Sequence, residues 1–355
     1  MQSLLSPRDY LGADIFDDEK DAVFSPAWLY AGLRRDLLDH QDYICENVGR
    51  ESVIVQNFDG ELRAFSNVCA HRLSAIRSEL RGNGALRCPY HGWTYDADGV
   101  ARGIPHKRSF GEGELEGDRI RLRAWQVETC GELVFVRKTH EGPALAESLG
   151  ELYAELSELG SALGVVISRT QYDVHANWKL WIENSVEGYH VGVVHTASIA
   201  KLVPSEDQRS RIGDHSMVSA RVAESKGTQK MLERPLAARV VARDDYRHYF
   251  VFPSLCITST RGLVFDIIRT VPVSQNATRI ESTLMGTRFR DAVPAAVVDE
   301  FYRLADQSAR VVQSEDQGIV EMVGRGMLDA DRPGFHGSLE DRIQHFQAAW
   351  RRRMP

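Results

Sequence analysis

Two short segments, Asn67-Val-Cys69-Ala-His71-Arg72 and Cys88-Pro-Tyr-His91-Gly-Trp93, decide how this chain is expected to fold. Each segment offers one thiolate and one imidazole, and these ligands together suit zinc or an iron–sulfur cluster. Zinc fingers usually take both Cys ligands from one element and both His ligands from another. The division found here instead favours a [2Fe–2S] cluster, in which two Cys hold one iron and two His hold the other. A structural zinc site and four unrelated core residues are the alternatives.

The surroundings of these segments are typical of a small β domain. From about residue 24 to 140, short alternating or apolar runs are separated by Gly, Asp and Asn. Asp59–Gly60 between two such runs predicts a β-hairpin, and Asp98–Gly99 predicts a second one. Two hairpin-like loops can bring their side chains to one point. The predicted cluster ligands are Cys69, His71, Cys88 and His91.

A second set of candidate metal ligands lies in residues 177 to 200, which are predicted to be mainly helical. On an ideal helix Glu187 and His190 share a face because they are three residues apart. His190 and His195 converge only if the helix bends or widens between them, and Gly192 lowers the cost of that distortion. Two His and one carboxylate can bind mononuclear Fe(II) and leave positions open for O2 and substrate. The alternative is a helix with two structural histidines.

These motifs together resemble the α subunits of Rieske non-haem iron oxygenases, the terminal oxygenase components of the aromatic ring-hydroxylating family. The resemblance is strong over Trp28 to 140 and over 177 to 198, and weak elsewhere. It implies an α+β chain with an N-terminal β-rich Rieske [2Fe–2S] domain and a C-terminal catalytic domain with mononuclear Fe(II). The catalytic domain is expected to have the helix-grip fold, in which a curved antiparallel sheet wraps a long helix.

The resemblance also implies which residues form the iron site. His190 and His195 are expected to bind the iron. The third ligand is expected on a late helix, where Ser314-Glu315-Asp316-Gln317 matches the family pattern. We choose Asp316 as this ligand, with Glu315 as its nearest rival. Asn184 matches an Asn that lies near the iron in the family.

Glu187 stands where the family has a carboxylate that carries electrons between subunits. This carboxylate joins a Rieske histidine of one subunit to an iron-ligating histidine of the neighbouring subunit, so the resemblance implies a head-to-tail homotrimer. Many members, especially aromatic dioxygenases, have Asp at this position. Glu occurs there in members that act on quaternary ammonium compounds such as betaines and carnitine.

The implied reaction uses O2 and electrons from NAD(P)H to oxidise a small organic substrate. A partner reductase would deliver the electrons, directly or through a ferredoxin. Hydroxylation of an aromatic substrate has the wider family precedent. The alternative supported by Glu187 is oxidative N- or O-demethylation, or hydroxylation, of a quaternary ammonium or alkylamine compound. Two alternatives belong to other classes: a Rieske electron-transfer protein without oxygenase activity, and a zinc-stabilised binding protein.

Periodicity predicts the organisation of the chain. Residues 1–25 are expected to pack on the catalytic domain, 26–141 to form the Rieske domain and 142–355 to form the catalytic domain. Leu residues at three- and four-residue spacing predict helix over 143–163. The later part is predicted to contain β strands over 215–290, a long helix over 294–327 and a short basic helix over 341–353.

Composition excludes several classes of protein. The 355 residues carry a net charge of −7, which argues against binding nucleic acid through the whole surface. Five cysteines do not suggest a disulfide framework, and Cys45, Cys130 and Cys256 are expected only to pack. The sequence has no signal-peptide pattern, and no run approaches the ~20 apolar residues of a membrane span. We therefore expect a cytoplasmic protein without membrane contact.

The cluster region has its own charge. Residues 66–108 contain seven Arg or Lys and three acidic residues, an excess of four positive charges. A basic surface could dock an acidic ferredoxin or reductase through complementary charge. An ordinary mixed surface is the alternative.

Overall fold

The computed structural model describes residues 1–111, 113–196, 198–200, 208–224 and 233–355. The chain divides into two compact units. The β unit is Phe24–Glu147, and the α+β unit combines Met1–Val23 with Ser148–Pro355. The first 23 residues thus belong with the C-terminal part of the chain in space.

The β unit begins at Phe24 and ends at Glu147, whereas the sequence-based limits were 26 and 141. The additional residues are held by contacts within the unit. The indole of Trp28 donates a hydrogen bond to the carbonyl of Pro143 at 3.1 Å, and Arg137 donates to the same carbonyl at 2.7 Å. The chain after residue 141 therefore stays on the β unit for a further few residues.

The β unit is built on an antiparallel sheet. Its strands are β1 (Leu29–Leu33), β2 (Asp42–Val48), β3 (Glu51–Phe58), β4 (Glu61–Ser66), β5 (Arg81–Asn83), β6 (Thr94–Tyr95), β7 (Ala101–Gly103), β8 (Ala124–Cys130) and β9 (Leu133–Arg137). Seven of them form a sheet in the order β1-β9-β8-β4-β3-β2-β5, and β6 pairs with β7. Both predicted hairpins are confirmed: Asp59–Gly60 joins β3 to β4, and Asp98–Gly99 lies between β6 and β7.

The α+β unit contains a second antiparallel sheet. Its strands are β10 (Leu163–Val174), β11 (Gln208–Ile212), β12 (His215–Arg221), β13 (Asp245–Val251), β14 (Leu255–Thr260), β15 (Val264–Ser274) and β16 (Ala277–Thr287). Within the described ranges their order is β10-β16-β15-β14-β13-β12-β11. The predicted β pattern of 215–290 is confirmed over its described residues.

Helices complete this unit, apart from one that begins in the β unit and crosses the boundary at residues 147–148, and they confirm the α+β fold class. They are α1 (Pro7–Leu11), α2 (Ala13–Glu19), α3 (Leu145–Leu149), α4 (Leu152–Ala162), α5 (Trp178–Ser185), α6 (Val191–Val194), α7 (Ala295–Met327) and α8 (Asp341–Arg351). The long helix α7 lies on the sheet. Ser168 of β10 donates a hydrogen bond to Asp306 of α7 at 2.5 Å, and Gln313 of α7 donates to Ser282 of β16 at 3.0 Å.

Two helical predictions differ from the structure. The run over 143–163 forms two helices because Gly150, with a φ of +54°, ends α3. The described residues of 177–200 form only α5 and the short α6, and Glu187 lies between these two helices. Its carboxylate accepts hydrogen bonds from the backbone N–H groups of Tyr189 and His190. Such a bond competes with continuation of a helix, so the chain turns here.

The N-terminal segment is fixed to α5 by buried polar contacts. Glu19 accepts hydrogen bonds from the indoles of Trp178 at 2.7 Å and Trp350 at 2.8 Å, and forms a fully buried ion pair with Lys179. A buried charge pair needs such additional hydrogen bonds to offset its loss of hydration. Met1–Val23 therefore helps to hold α5 in place.

Among the described residues, no helix combines the length and the apolar character that crossing a membrane requires.

Candidate metal centres

The two predicted cluster-binding segments lie in loops with matching backbone hydrogen bonds. In the first loop, the N–H of Leu73 donates to the carbonyl of Cys69 at 3.0 Å, and in the second the N–H of Gly92 donates to the carbonyl of Cys88 at 3.0 Å. Each loop turns at a left-handed residue, with φ of 58° at Leu73 and 74° at Gly92. That conformation is easy for Gly and unfavourable for Leu. The two Cys backbones are therefore held in equivalent turns.

The four predicted cluster ligands come together between these loops. The Cys69 and Cys88 thiols belong to residues that are each 1% exposed, and the rings of His71 and His91 lie 4.7 Å apart. Nδ1 of His71 is buried and has no hydrogen-bond partner in the described part of the chain. Burial, with a contribution from Cys88, raises the pKa of the Cys69 thiol. Two sulfur and two nitrogen donors at one place fit the predicted [2Fe–2S] cluster.

Neighbouring polar groups orient the first cluster loop. The hydroxyl of Tyr95 accepts a hydrogen bond from the N–H of Ala70 at 3.1 Å and lies 3.1 Å from the sulfur of Cys69. The hydroxyl and the sulfur are thus within hydrogen-bond distance of each other. Asn67 accepts a hydrogen bond from the N–H of Ile76 at 2.8 Å, which closes the base of the loop.

The two histidines differ in exposure. His71 is half-buried and stacks on Trp93, with ring centroids 4.9 Å apart and planes 2° from parallel. His91 is exposed and lies beside Tyr90, at 3.8 Å between ring centroids. His91 therefore has the more accessible imidazole of the two.

The second predicted site is a compact group of His190, His195 and Asp316. One ligand atom from each residue lies within 4.8 Å of the other two. Nε2 of His190 is 3.3 Å from Nε2 of His195, and Oδ1 of Asp316 is 3.5 Å and 3.1 Å from these two nitrogens. Two imidazoles and one carboxylate that converge in this way are the donor set expected for non-haem Fe(II).

Each imidazole is held from behind by a second carboxylate. Nδ1 of His190 contacts Glu187, and Nδ1 of His195 lies 2.7 Å from Oε2 of Glu315. A hydrogen bond at Nδ1 fixes the ring orientation and directs the other nitrogen, Nε2, towards the metal. Glu315, the rival ligand in the sequence prediction, is thus positioned to orient His195.

The third predicted ligand is also held in place. Asn184 of α5 donates a hydrogen bond from Nδ2 to Oδ1 of Asp316 on α7, at 2.9 Å. This oxygen is the one that faces both imidazoles. Asn184 lies in the last turn of α5. The start of this helix is fixed by Asn177, the residue before Trp178, whose side chain accepts a hydrogen bond from the N–H of Lys179.

Electrostatics make this group a strong site for positive charge. Burial alone would raise the pKa of Asp316, but hydrogen bonds from His190 and His195 outweigh it and lower the pKa to about 2. Burial alone would lower the pKa of His190, but Asp316 and Glu187 raise it to about 9. The metal-free imidazole of His190 therefore holds a proton at neutral pH, which a divalent cation would replace on binding.

Sequence reasoning missed the roles of three groups near these sites. The positioning role of Glu315 could have been suspected from its place beside Asp316, and Ser198, which donates to Glu315 at 2.6 Å, follows His195 closely in sequence. Tyr95 gave no signal beyond its place in the second predicted hairpin. None of the five cysteines forms a disulfide, and all five are buried.

Comparison with known proteins identifies both parts of the chain. Residues 27–136 match the model of the Rieske [2Fe-2S] domain, and residues 163–355 match the ring hydroxylating alpha subunit (catalytic domain). The oxygenase subunit of carnitine monooxygenase from Acinetobacter pittii (strain PHEA-2) is 30% identical over 193 residues, which are 52% of this chain and 51% of that protein.

The N,N-dimethyl phenylurea N-demethylase subunit alpha from Sphingobium sp. (strain YBL2) is 27% identical over 245 residues, or 64% of this chain and 53% of that protein. The chain therefore spans about half the length of these curated relatives.

The fold is shared with a solved structure, the quaternary ammonium Rieske monooxygenase CntA in complex with L-carnitine. The TM-score is 0.80 at 20% identity, and the match covers 99% of this chain and 95% of that one. The family model spans more than half of the chain, over the residues that build the α+β unit. The chain therefore belongs to the ring-hydroxylating α-subunit family and contains a Rieske [2Fe–2S] domain in its N-terminal half.

Proposed function

We propose that this chain is the terminal oxygenase component of a Rieske non-haem iron oxygenase. The observation that carries the proposal is the convergence of His190, His195 and Asp316, whose ligand atoms lie within 4.8 Å of one another. The same chain also contains the four-donor cluster site, which lies in the β unit. A Rieske electron carrier would need only the cluster site. A zinc-stabilised protein would need neither of the two carboxylates, Glu187 and Glu315, that contact the imidazoles of the second site.

The proposed ligands divide between two cofactors. Cys69, His71, Cys88 and His91 would hold the [2Fe–2S] cluster, and His190, His195 and Asp316 would hold the mononuclear iron. When bound, these groups supply single electrons and a centre for O2 reduction beside the substrate.

The chain's own residues prepare both sites. Tyr95 places its hydroxyl 3.1 Å from the sulfur of Cys69, to which it would donate a hydrogen bond once that sulfur is a thiolate. Glu187 and Glu315 keep Nε2 of each imidazole turned inward, and Asn184 holds the shared oxygen of Asp316.

Glu187 is the proposed connection for electron transfer. Its carboxylate contacts the imidazole of His190, and its side chain remains 9% exposed. We propose a head-to-tail homotrimer in which Glu187 also contacts a Rieske histidine of the neighbouring chain. Electrons would reach the cluster from a reductase, directly or through a ferredoxin, that docks on the basic surface around it.

The proposed substrate is a small N-alkylated compound, oxidised at a carbon bound to nitrogen. Glu187 supports this class, and so do the two relatives, whose names concern carnitine and a dimethyl phenylurea. Oxidation of an N-methyl carbon would give a hydroxymethyl product that loses formaldehyde. An aromatic substrate is the second candidate, favoured by the sequence context of His190 to Ser198.

Metal analysis and O2 uptake together test the function. We expect about three Fe per chain and a Rieske EPR signal after reduction. Substrate-stimulated consumption of NAD(P)H and O2 with a surrogate reductase should be lost in Asp316→Ala, while the EPR signal remains. His175→Ala, a histidine of the same unit outside the site, is the matched control. Zinc in the protein, or unchanged O2 uptake in Asp316→Ala, would contradict the proposal.

A further inference from the structure

The carboxylate of Asp266 on β15 lies buried in the α+β unit. The residue is 8% exposed, and its oxygens accept hydrogen bonds from two neutral groups, Ser282 at 2.6 Å and Gln313 at 3.3 Å. The described residues provide no ion pair for it. Buried charges in proteins are normally paired, so an ionised carboxylate with only neutral neighbours needs an explanation.

Asp266 is hydrogen-bonded to the helix that carries Asp316. Its partner Gln313 precedes Asp316 by three residues on α7, which places these two side chains on one face of the helix and about 4.5 Å apart along its axis. The charges of Asp266 and Asp316 both act on the phenol of Tyr172 on β10. Burial most of all, and then the charges of Asp266 and Asp316, raise the pKa of its phenol.

Two aromatic residues of the α+β unit, one of which senses the charge of Asp266, have unused polar atoms. The hydroxyl of Tyr172 and Nε1 of Trp181 are buried and have no hydrogen-bond partner among the described residues. Trp181 is only 2% exposed, and its ring contacts that of Tyr172 edge-on, with centroids 5.9 Å apart. Trp181 also lies one turn before Asn184 on α5, on the face that reaches Asp316. The same region thus contains a carboxylate, two aromatic rings and two unsatisfied polar atoms.

We propose that Asp266, with the rings of Tyr172 and Trp181, forms a subsite for the positively charged nitrogen of a small substrate. This inference rests on the proposed function, because it gives the iron site a substrate class. An ammonium group would pair with the carboxylate and could face the aromatic rings, which attract cations. The carboxylate suits this role, because burial raises its pKa only to about 6 and it stays ionised at neutral pH.

An apolar aromatic substrate would fit this region poorly. It would bury an unpaired carboxylate and two unsatisfied polar atoms without giving any of them a partner. A cation at Asp266 would instead pair with the carboxylate whose partner, Gln313, lies one helical turn before Asp316. The cation would thus lie on the side of the unit that carries this proposed iron ligand.

Matched pairs of ligands isolate the effect of the charge. Choline and its carbon isostere 3,3-dimethylbutan-1-ol form one pair, and γ-butyrobetaine and 5,5-dimethylhexanoate form another. Within a pair the shape is the same, and only the charge on the central atom differs. The dissociation constant of each ligand is measured by calorimetry on the holoprotein, anaerobically and without reductase, so that no turnover is needed.

We expect the wild-type protein to bind at least one cation about tenfold or more tightly than its isostere, equal to about 1.4 kcal/mol. Asp266→Asn, which keeps the side-chain volume, should abolish that preference. Asp306→Asn is the matched control and should keep it, because Asp306 pairs with Arg310 and lies about 15 Å along α7 from Asp316.

Three results would overturn the proposal: no cation preference in either pair for the wild-type protein, no binding of any of the four ligands, or an unchanged preference in Asp266→Asn. If Asp266→Asn does not fold, the lack of a cation preference in the wild-type protein would still overturn the proposal. Failure of the oxygenase function is a separate result, since it would appear in iron content and O2 uptake, whereas the binding ratios need neither.

Discussion

Glu315→Gln tests whether the carboxylate behind His195 controls the mononuclear metal site. Oε2 of Glu315 lies 2.7 Å from Nδ1 of His195, a residue only 1% exposed, and receives a second hydrogen bond from Ser198 at 2.6 Å. Gln has the same length and can still accept both hydrogen bonds. The substitution therefore removes the negative charge and little else.

The size of the effect follows from this contact. A hydrogen bond to a charged partner contributes about 1.5–3 kcal/mol, and a neutral one about 0.5–1.5 kcal/mol. The loss of charge should therefore weaken Fe(II) binding by about 1–1.5 kcal/mol, or about tenfold. Substitutions of the groups that orient metal ligands typically weaken metal binding by about 10–100-fold, in agreement with this value.

The assay must separate the mononuclear iron from the iron of the cluster. We would dialyse the protein anaerobically against buffered Fe(II), measure total iron, and subtract the cluster iron quantified by EPR of the reduced protein. Glu321→Gln is the control, because Glu321 lies on the same helix but accepts a hydrogen bond from the N–H of His175. An affinity of Glu315→Gln within about twofold of the wild type would refute the reasoning.

Three further substitutions probe the remaining contacts. Asn184→Ala removes the 2.9 Å hydrogen bond to Asp316 and should lower Fe(II) affinity about tenfold, measured by the same dialysis. Tyr95→Phe removes the hydroxyl 3.1 Å from the sulfur of Cys69 and should lower the midpoint potential of the cluster by about 50 mV, measured by a redox titration. Glu183→Gln should stabilise the protein above pH 7. Burial raises the pKa of Glu183 to about 7, above its pKa in the unfolded chain. The stability that this shift contributes is therefore present in full below the unfolded pKa and is lost as the pH rises through about 7. The gain, up to about 3 kcal/mol at pH 8, should shrink towards pH 5.5 in thermal unfolding scans.

The candidate metal ligands could be proposed from the sequence because metal binding restricts the residue types. Cys69 and His71 stand close together in sequence, as do Cys88 and His91, and His190, His195 and Asp316 were identified through the resemblance. The alternation of the strands and the spacing of α7 were likewise visible, since both depend on local periodicity.

Contacts between distant residues were not predictable in this way. The break between α5 and α6 arises because the carboxylate of Glu187 accepts backbone hydrogen bonds, which competes with a helical pattern that otherwise continues. The role of Glu315 depends on the distance between α7 and α6, and no local pattern encodes that distance. In the sequence, Asp266 is one acidic residue within the predicted strands of 215–290. Only the structure shows that Gln313 and Ser282 donate hydrogen bonds to it.

The arrangement of Glu315 and Asp316 explains why one short stretch of α7 can contact three imidazole nitrogens. Consecutive residues point about 100° apart on a helix, so the two carboxylates leave α7 in different directions. The shorter Asp316 reaches the two Nε2 atoms, and the longer Glu315 reaches Nδ1 of His195. Asn184 then ties α5 to the same oxygen of Asp316. A shift of α7 by one residue, about 1.5 Å along its axis, would lengthen all of these contacts together. The position of the metal therefore depends on the packing of α5 against α7 as much as on the ligands themselves.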